Sequence, residues 1–182
     1  MFKRLFGAKR QTNRQATDAL YGEIVAAARQ PWFYLQWKVP DTPLGRFEML
    51  SLHMFLLQYR LHGQAGPAKD MAQVLIDEFF LDVDHSLREL GISDVGVPKR
   101  MKRLAKMYYG RTAAYADALE RQDDQALVAA LKRNICPDEG GDEDWRESAL
   151  LAAYVKQVVH DLSAQTLDSI CAGVLHFPRA GV

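Results

Sequence analysis

Residues 39–60 read VPDTPLGRFEMLSLHMFLLQYR, which begins as a turn and continues as a long apolar segment. Thr42 suits an N-cap, and Pro43 suits the first helical position, where its missing N–H costs nothing. The segment from residue 47 to residue 57 is apolar on most sides, which is typical of a helix in the middle of a domain. Its start is nevertheless polar, with Asp41, Arg46 and Glu48, and His53 follows. These residues therefore predict a buried central helix with a charged opening turn.

The bulk composition is that of an ordinary globular protein. The chain has 182 residues, of which 48% are apolar and 25% are charged, and its formal net charge is zero. Such a balance does not favour DNA as a partner. The two cysteines, Cys136 and Cys171, are far apart, which fits a reducing compartment without a disulfide framework. No apolar run reaches the length that a membrane-spanning helix needs, and the N-terminus does not resemble a secretory signal.

Helical periodicity organises the rest of the chain into one all-α domain of about six helices, a bundle that covers residues 15–182. We predict helices over residues 17–29, 43–63, 67–90 and 98–121, a shorter helix from Asp123 or Asp124, and a last one over 144–172. Residues 31–37 are predicted to be an irregular link whose large apolar side chains fill the core. An exposed aromatic patch for a partner is the alternative. The acidic link 136–144 is predicted to be mobile.

The first fourteen residues form a basic tail with five cations and no acid. Phe2, Leu5 and Phe6 are spaced so that one short amphipathic turn could rest on an anionic membrane surface. A frayed basic tail without a partner is the alternative.

No short signature of a catalytic, nucleotide-binding or metal site occurs in the sequence. Asp82 and His85 have the spacing of ligands in di-iron bundles, but a suitable second pair is missing, since Glu48 and His53 are five residues apart. We therefore predict no metal, no cofactor and no catalytic residue.

Charge is segregated between two neighbouring predicted helices. The helix at 67–90 carries five acidic residues between positions 77 and 89, and the first half of the helix at 98–121 is strongly basic. Two interpretations stay open at this point. The helices can pair their charges across a shared seam, or the basic stripe with Tyr108 and Tyr109 can form a recognition surface for an acidic peptide, lipid head groups or RNA.

Two long motifs resemble the ubiquinol–cytochrome c chaperone family. They are VPDTPLGRFEMLSLHMFLL at residues 39–57 and FFLDVDHSLRELGISDVGVPKRMKRLAKMYYGR at residues 79–111, followed by LKRN at residues 131–134. The resemblance covers residues 20–134. It implies a non-enzymatic assembly chaperone for respiratory complex III that binds newly made cytochrome b, with a small protein partner possible.

The compact chain resembles bacterial members more closely, since it has no long mitochondrial presequence and no spanning helix. This implies a cytoplasmic protein, peripheral at the inner face of the bacterial inner membrane. An RNA- or ribosome-binding helical module that uses residues 99–111 is the alternative function.

The motifs also supply a set of predicted partner-binding residues. They are Asp41, Arg46, Glu48, His53, Asp82, Asp84, Arg88, Asp94, Lys99, Arg100, Lys102, Tyr109 and Arg111. Within this set Arg46, Lys99, Arg100 and Arg111 are favoured for direct contact, because charged groups contribute little to a core.

Overall fold

The structure is a computed structural model that describes the backbone of residues 2–137 and 145–181, and side chains from residue 14 onward in those ranges. This part of the chain contains eight α-helices and no strand, so the predicted all-α fold is confirmed. Six helices have twelve or more residues, and two have five residues each. They are α1 (Phe2–Ala28), α2 (Pro31–Leu35), α3 (Pro43–Leu61), α4 (Pro67–Glu89), α5 (Gly96–Glu120), α6 (Asp124–Ile135), α7 (Ser148–Ala164) and α8 (Leu167–Cys171).

Helix α3 lies at the centre of the bundle, as predicted. Thr42 caps it, since the backbone N–H of Gly45 donates to the Thr42 hydroxyl at 3.1 Å, and Pro43 occupies its first turn. Its middle, residues 51–57, is buried without interruption. Helices α1, α4, α5, α6 and α7 all contact it. The apolar segment is therefore the common core against which the other helices pack.

The segment before α3 is more regular than predicted. Residues 31–35 form the short helix α2, with Pro31 at its start. Phe33 and Trp37 are buried, and the Trp145 indole N–H donates to the carbonyl oxygen of Trp37 at 2.8 Å. The prediction of core filling is confirmed for these two side chains, whereas Trp32 is partly exposed.

Two helix boundaries differ from the prediction. Helix α1 begins at Phe2, so the helical backbone extends into the predicted tail. The single helix predicted over 144–172 is wrong, because the chain turns extended at Gln165 and a new helix starts after Thr166. Arg60 donates hydrogen bonds to the carbonyl oxygens of Leu162 and Gln165, at 2.8 and 2.9 Å. These bonds satisfy carbonyl groups where α7 ends. Most of the acidic link, residues 138–144, lies outside the described residues.

Candidate functional site

A groove of about 1290 Å³ lies between the end of α1, the start of α3, the second half of α4 and the first half of α5. Its floor is apolar. The floor residues are Phe47, Leu50, Val83, Leu87, Leu104 and Met107. Leu44 and Leu90 add exposed apolar side chains at its edge. An open apolar groove of this size is typical of a binding site for a ligand or a partner segment.

The rim of the groove is strongly basic. Seven cationic side chains line it, against the three acidic residues Asp41, Asp82 and Glu89. The cations are Arg29, Arg46, Lys99, Arg100, Lys102, Arg103 and Lys106. Since the whole chain has a formal net charge of zero, the groove concentrates positive charge that the remaining surface balances.

Four of these cations form one face of α5, and we call them the α5 stripe: Lys99, Lys102, Arg103 and Lys106. Their spacing of i, i+3, i+4 and i+7 places them side by side on the helix surface. Within the described ranges, none of the four makes an ion pair, and no ion pair joins α4 to α5. The two helices do pack together, but their charges do not pair across the seam. The recognition-surface interpretation is therefore favoured.

The opening turn of α3 contributes one exposed ion pair to the groove. The Arg46 Nε atom lies 2.7 Å from the Asp41 carboxylate, and both side chains are more than half exposed. The hydrogen bond from Arg46 lowers the pKa of Asp41. An exposed pair of this kind contributes little to stability. Arg46 therefore points outward and pairs within its own turn, and it does not pair with α4.

The predicted acidic residues of α4 divide between two local interactions. Asp82 accepts a hydrogen bond from the Tyr21 hydroxyl at 2.9 Å, and burial, together with this carboxylate, raises the pKa of Tyr21. Arg88 pairs with Asp84 at 2.7 Å and also with Asp94 in the α4–α5 turn. These contacts fix the geometry of the groove wall and of the turn.

Glu48 and Arg111 lie in the interior, although both were predicted to contact a partner. Arg111 Nη2 is 2.8 Å from Glu48 Oε1, and the two side chains are 13% and 1% exposed. The pair joins α3 to α5 away from the groove. Burial raises the pKa of Glu48 to about 8, even though the neighbouring Arg111 acts to lower it. The pair therefore joins two helices inside the bundle, and neither residue lines the groove.

His53 is also an internal residue. Its Nδ1 atom lies 2.8 Å from the carbonyl oxygen of Met49, so Nδ1 carries the proton and donates. Its Nε2 atom then accepts from the Tyr154 hydroxyl at 3.0 Å. Complete burial lowers the pKa of His53 to about 4, which keeps the ring neutral at physiological pH. Its role as placed is to join α3 to α7, with Phe33 and Phe177 packed against the ring.

The remaining predicted residues lie on the outer surface of α5. Lys99, Arg100 and Lys102 are exposed and line the groove. Tyr109 is half exposed, further along α5, with its ring 6.2 Å from that of Phe80 on α4. The structure thus brings six of the thirteen predicted residues to the groove. They are Asp41, Arg46, Asp82, Lys99, Arg100 and Lys102.

The basic stripe predicted over residues 99–111 includes Arg103 and Lys106, but neither residue was among the predicted partner-binding residues, and the apolar floor was not predicted at all. The helical spacing of the α5 stripe was a signal that could have found the two cations. The floor could not be found in this way, because its residues come from three helices that are distant in sequence.

No group of three or more histidine, cysteine or acidic residues is placed to hold a metal ion in the part of the chain that the structure describes. Among the helices described above, none combines the length and hydrophobicity that crossing a bilayer requires.

Comparison with known proteins gives one consistent result. The sequence model of the ubiquinol–cytochrome C chaperone family matches residues 35–177. The chain is 27% identical, over 138 residues, to the mouse and human proteins named ubiquinol–cytochrome c reductase complex assembly factor 1. The match covers 76% of this chain and 44% of each mammalian protein, so the chain spans less than half the length of these relatives.

A solved structure agrees closely with the fold. The crystal structure of the Cbp3 homolog from Brucella abortus superposes with a TM-score of 0.90 at 51% sequence identity, and the match covers 98% of this chain and 97% of the other. The family match spans every part of the groove except its contribution from α1. The chain therefore belongs to the ubiquinol–cytochrome c chaperone family.

Proposed function

We propose that this chain is a non-enzymatic assembly chaperone for ubiquinol–cytochrome c reductase, respiratory complex III, and that it binds newly made cytochrome b. Family membership supports the general role, as do the mammalian relatives named as assembly factors of this complex. The specific client follows from what the family resemblance implies.

The observation that carries the proposal is the groove with an apolar floor and a cationic rim. Cytochrome b is a very apolar client before assembly, and its unassembled segments need temporary cover. An open apolar groove can cover such a segment by burial alone, and the cations around it can select the charged residues that flank it. Binding of this kind requires no catalytic group.

The proposal is tested in cells from which the gene has been deleted. We expect these cells to lose assembled complex III and the absorbance of b-type haem in their membranes, and an intact copy of the gene to restore both. Normal levels of spectroscopically intact cytochrome b in the deletion strain would overturn the proposal.

A groove variant refines the same experiment. Leu104→Gln with Met107→Gln makes the floor polar and should fail to restore complex III, because it removes the apolar surface that covers the client. Leu150→Gln is the matched control, since Leu150 is half exposed on α7 and does not line the groove. Circular dichroism of both purified variants verifies that the helical fold is retained.

An RNA- or ribosome-binding module is the second candidate, and it is favoured because the α5 stripe makes no ion pair with any residue that the structure describes. Contacts to phosphates release counterions, so RNA affinity should fall steeply as the salt concentration rises. Binding to RNA that is absent, or insensitive to salt, would remove this candidate.

We place the protein at the cytoplasmic, inner face of the bacterial inner membrane, as a peripheral protein. Support comes from the basic, partly apolar composition of residues 1–14, which suits an anionic membrane surface. A small protein partner, as the family resemblance implies, would be recovered with the chain when it is purified from native membranes.

A further inference from the structure

The end of the molecule where α4 turns into α5 combines exposed apolar and cationic side chains. Val95 is 89% exposed and Leu90 is 58% exposed. The α5 stripe follows directly after this turn. Leu44, 45% exposed, lies across the groove on the first turn of α3. Large apolar side chains exposed to this degree within one part of a surface usually mark a binding face.

We propose that this end of the molecule docks on an anionic lipid bilayer, with Leu90 and Val95 entering the interface and the α5 stripe contacting the head groups. We call this surface the lipid face. It consists of other residues than the basic tail 1–14, of which Arg14 alone has a described side chain. It would also turn the mouth of the groove towards the membrane, from which an apolar segment could enter.

Charge supports a bilayer as the occupant. The α5 stripe offers four adjacent cations with no ion-pair partner in the described ranges, and an anionic leaflet attracts such clusters. The acidic residue in the turn, Asp94, is already paired with Arg88 and is therefore partly neutralised. Among the described residues that line the groove, Glu89 is an exposed acid for which no ion pair is seen. The net charge of the α5 stripe together with the acidic residues around the turn is therefore positive.

The apolar residues distinguish a bilayer from other anionic partners. RNA would contact the cations but would gain nothing from Leu90 or Val95. A peptide lying in the groove would leave Val95 uncovered, because Val95 does not line the groove. A bilayer accommodates both kinds of side chain at once, since apolar groups enter the interface while neighbouring cations remain at head-group level.

The first test measures sedimentation of the full chain with vesicles of phosphatidylcholine, with or without about one-third phosphatidylglycerol. One variant converts all four residues of the α5 stripe to glutamine. The matched control converts four exposed cations elsewhere to glutamine: Lys69, Arg133, Arg146 and Arg179. Both variants lose the same formal charge, so any difference between them reports position.

We expect the natural chain to bind the anionic vesicles and the stripe variant to bind them at least tenfold more weakly, since each cation near the surface contributes up to about fivefold. The control variant should retain most of the vesicle binding of the natural chain. A higher salt concentration should weaken the vesicle binding of every chain. Equal vesicle binding by the stripe variant and the control variant would overturn the proposal. The proposal would also fail if the stripe variant bound vesicles as well as the natural chain does while it had lost binding to RNA.

The second test is local and separates the lipid face from residues 1–14. Val95→Cys and Leu150→Cys are each introduced into a chain that carries Cys136→Ala and Cys171→Ala, since both native thiols are free and would also react. Each chain is labelled with an environment-sensitive dye and mixed with the anionic vesicles. We expect a blue shift of the emission at position 95 and none at position 150. Vesicle binding without any shift at position 95 would show that another segment makes the contact and would refute the lipid face. Neither test measures complex III, so the proposed assembly function stands or fails separately.

Discussion

The buried carboxyl group of Glu48 leads to a prediction about the pH dependence of stability. The substitution Glu48→Gln leaves the side-chain volume almost unchanged and removes the ionisable carboxyl group. The pKa of Glu48 is raised to about 8 by burial, against the effect of Arg111 2.8 Å away. Since a raised carboxyl pKa means that the folded state holds the proton more tightly, this group stabilises the fold most at low pH.

The magnitude follows from the two pKa values. The contribution is fully present below the unfolded pKa, near 4.3, and is lost as the pH rises through the folded value. Between pH 6.5 and pH 8 the free energy of unfolding should fall by about 1.5 kcal/mol in the natural chain, because the unfolded state is already ionised there. His53, whose pKa is lowered to about 4, has the opposite sign, because the unfolded histidine takes up a proton as the pH falls through about 6.5. Half of that protonation is complete at pH 6.5, so His53 offsets about 0.4 kcal/mol of the Glu48 effect across this window and leaves its sign unchanged.

The assay is urea unfolding, followed by far-ultraviolet circular dichroism, at several pH values across that window. The natural chain should lose stability as the pH rises, and the Glu48→Gln chain should not. Glu23→Gln, at an exposed position of α1, is the matched control and should keep the slope of the natural chain. If Glu48 were instead ionised throughout as half of a strong ion pair, the natural chain would show no slope and Glu48→Gln would be less stable at every pH. That result would refute the reasoning.

Three further predictions concern packing, the core hydrogen bond and the tail. A methyl group at Gly45 would lie 1.9 Å from the carbonyl oxygen of Pro40, so Gly45→Ala should cost roughly 2–4 kcal/mol of stability in the same denaturation assay. Gly110→Ala is the control, because a methyl group there meets nothing within 4 Å. It should be neutral or stabilising by up to ~1 kcal/mol. Tyr154→Phe removes the hydrogen bond to the buried histidine and should cost about 1–2 kcal/mol, whereas an unchanged midpoint would show that the bond contributes nothing. Replacing the five cations of residues 1–14 with glutamine should weaken flotation with anionic liposomes, and equal flotation would exclude the tail as an anchor.

The sequence predicted the central helix well because its signals are local. The N-cap at Thr42, the proline after it and the continuous apolar segment are all read within a few turns of chain. The breaks before α4 and α5 were placed within two residues for the same reason, since proline or glycine marks each of them.

The sequence could not separate surface charges from buried ones. Glu48 and Arg111 are distant in sequence and become a pair only when α3 packs against α5, so their motif membership alone suggested partner contact. The end of α7 was missed for a similar reason. The carbonyl groups exposed at that break are satisfied by Arg60, which comes from another helix. Contacts of this kind depend on the tertiary arrangement, and no local pattern reports them.

The groove also combines residues that the sequence predicts with residues that only the tertiary arrangement brings together. Lys99, Arg100 and Lys102 were found from charge and motif, whereas the floor beneath them depends on how three helices meet. Whether α4 and α5 pair their charges was also open until their arrangement was known. The absence of such ion pairs in the described ranges leaves the α5 stripe available to a partner.

The central claim, that this groove binds newly made cytochrome b, is tested most directly by site-specific photo-crosslinking in cells that synthesise the subunit. A photoreactive amino acid replaces Leu44, which lines the groove, or Leu150, which lies on α7 and is exposed to a similar extent. We predict that cytochrome b is crosslinked from position 44 and not from position 150. Crosslinking from position 150 alone, or from neither position while complex III assembly still requires the protein, would contradict the claim.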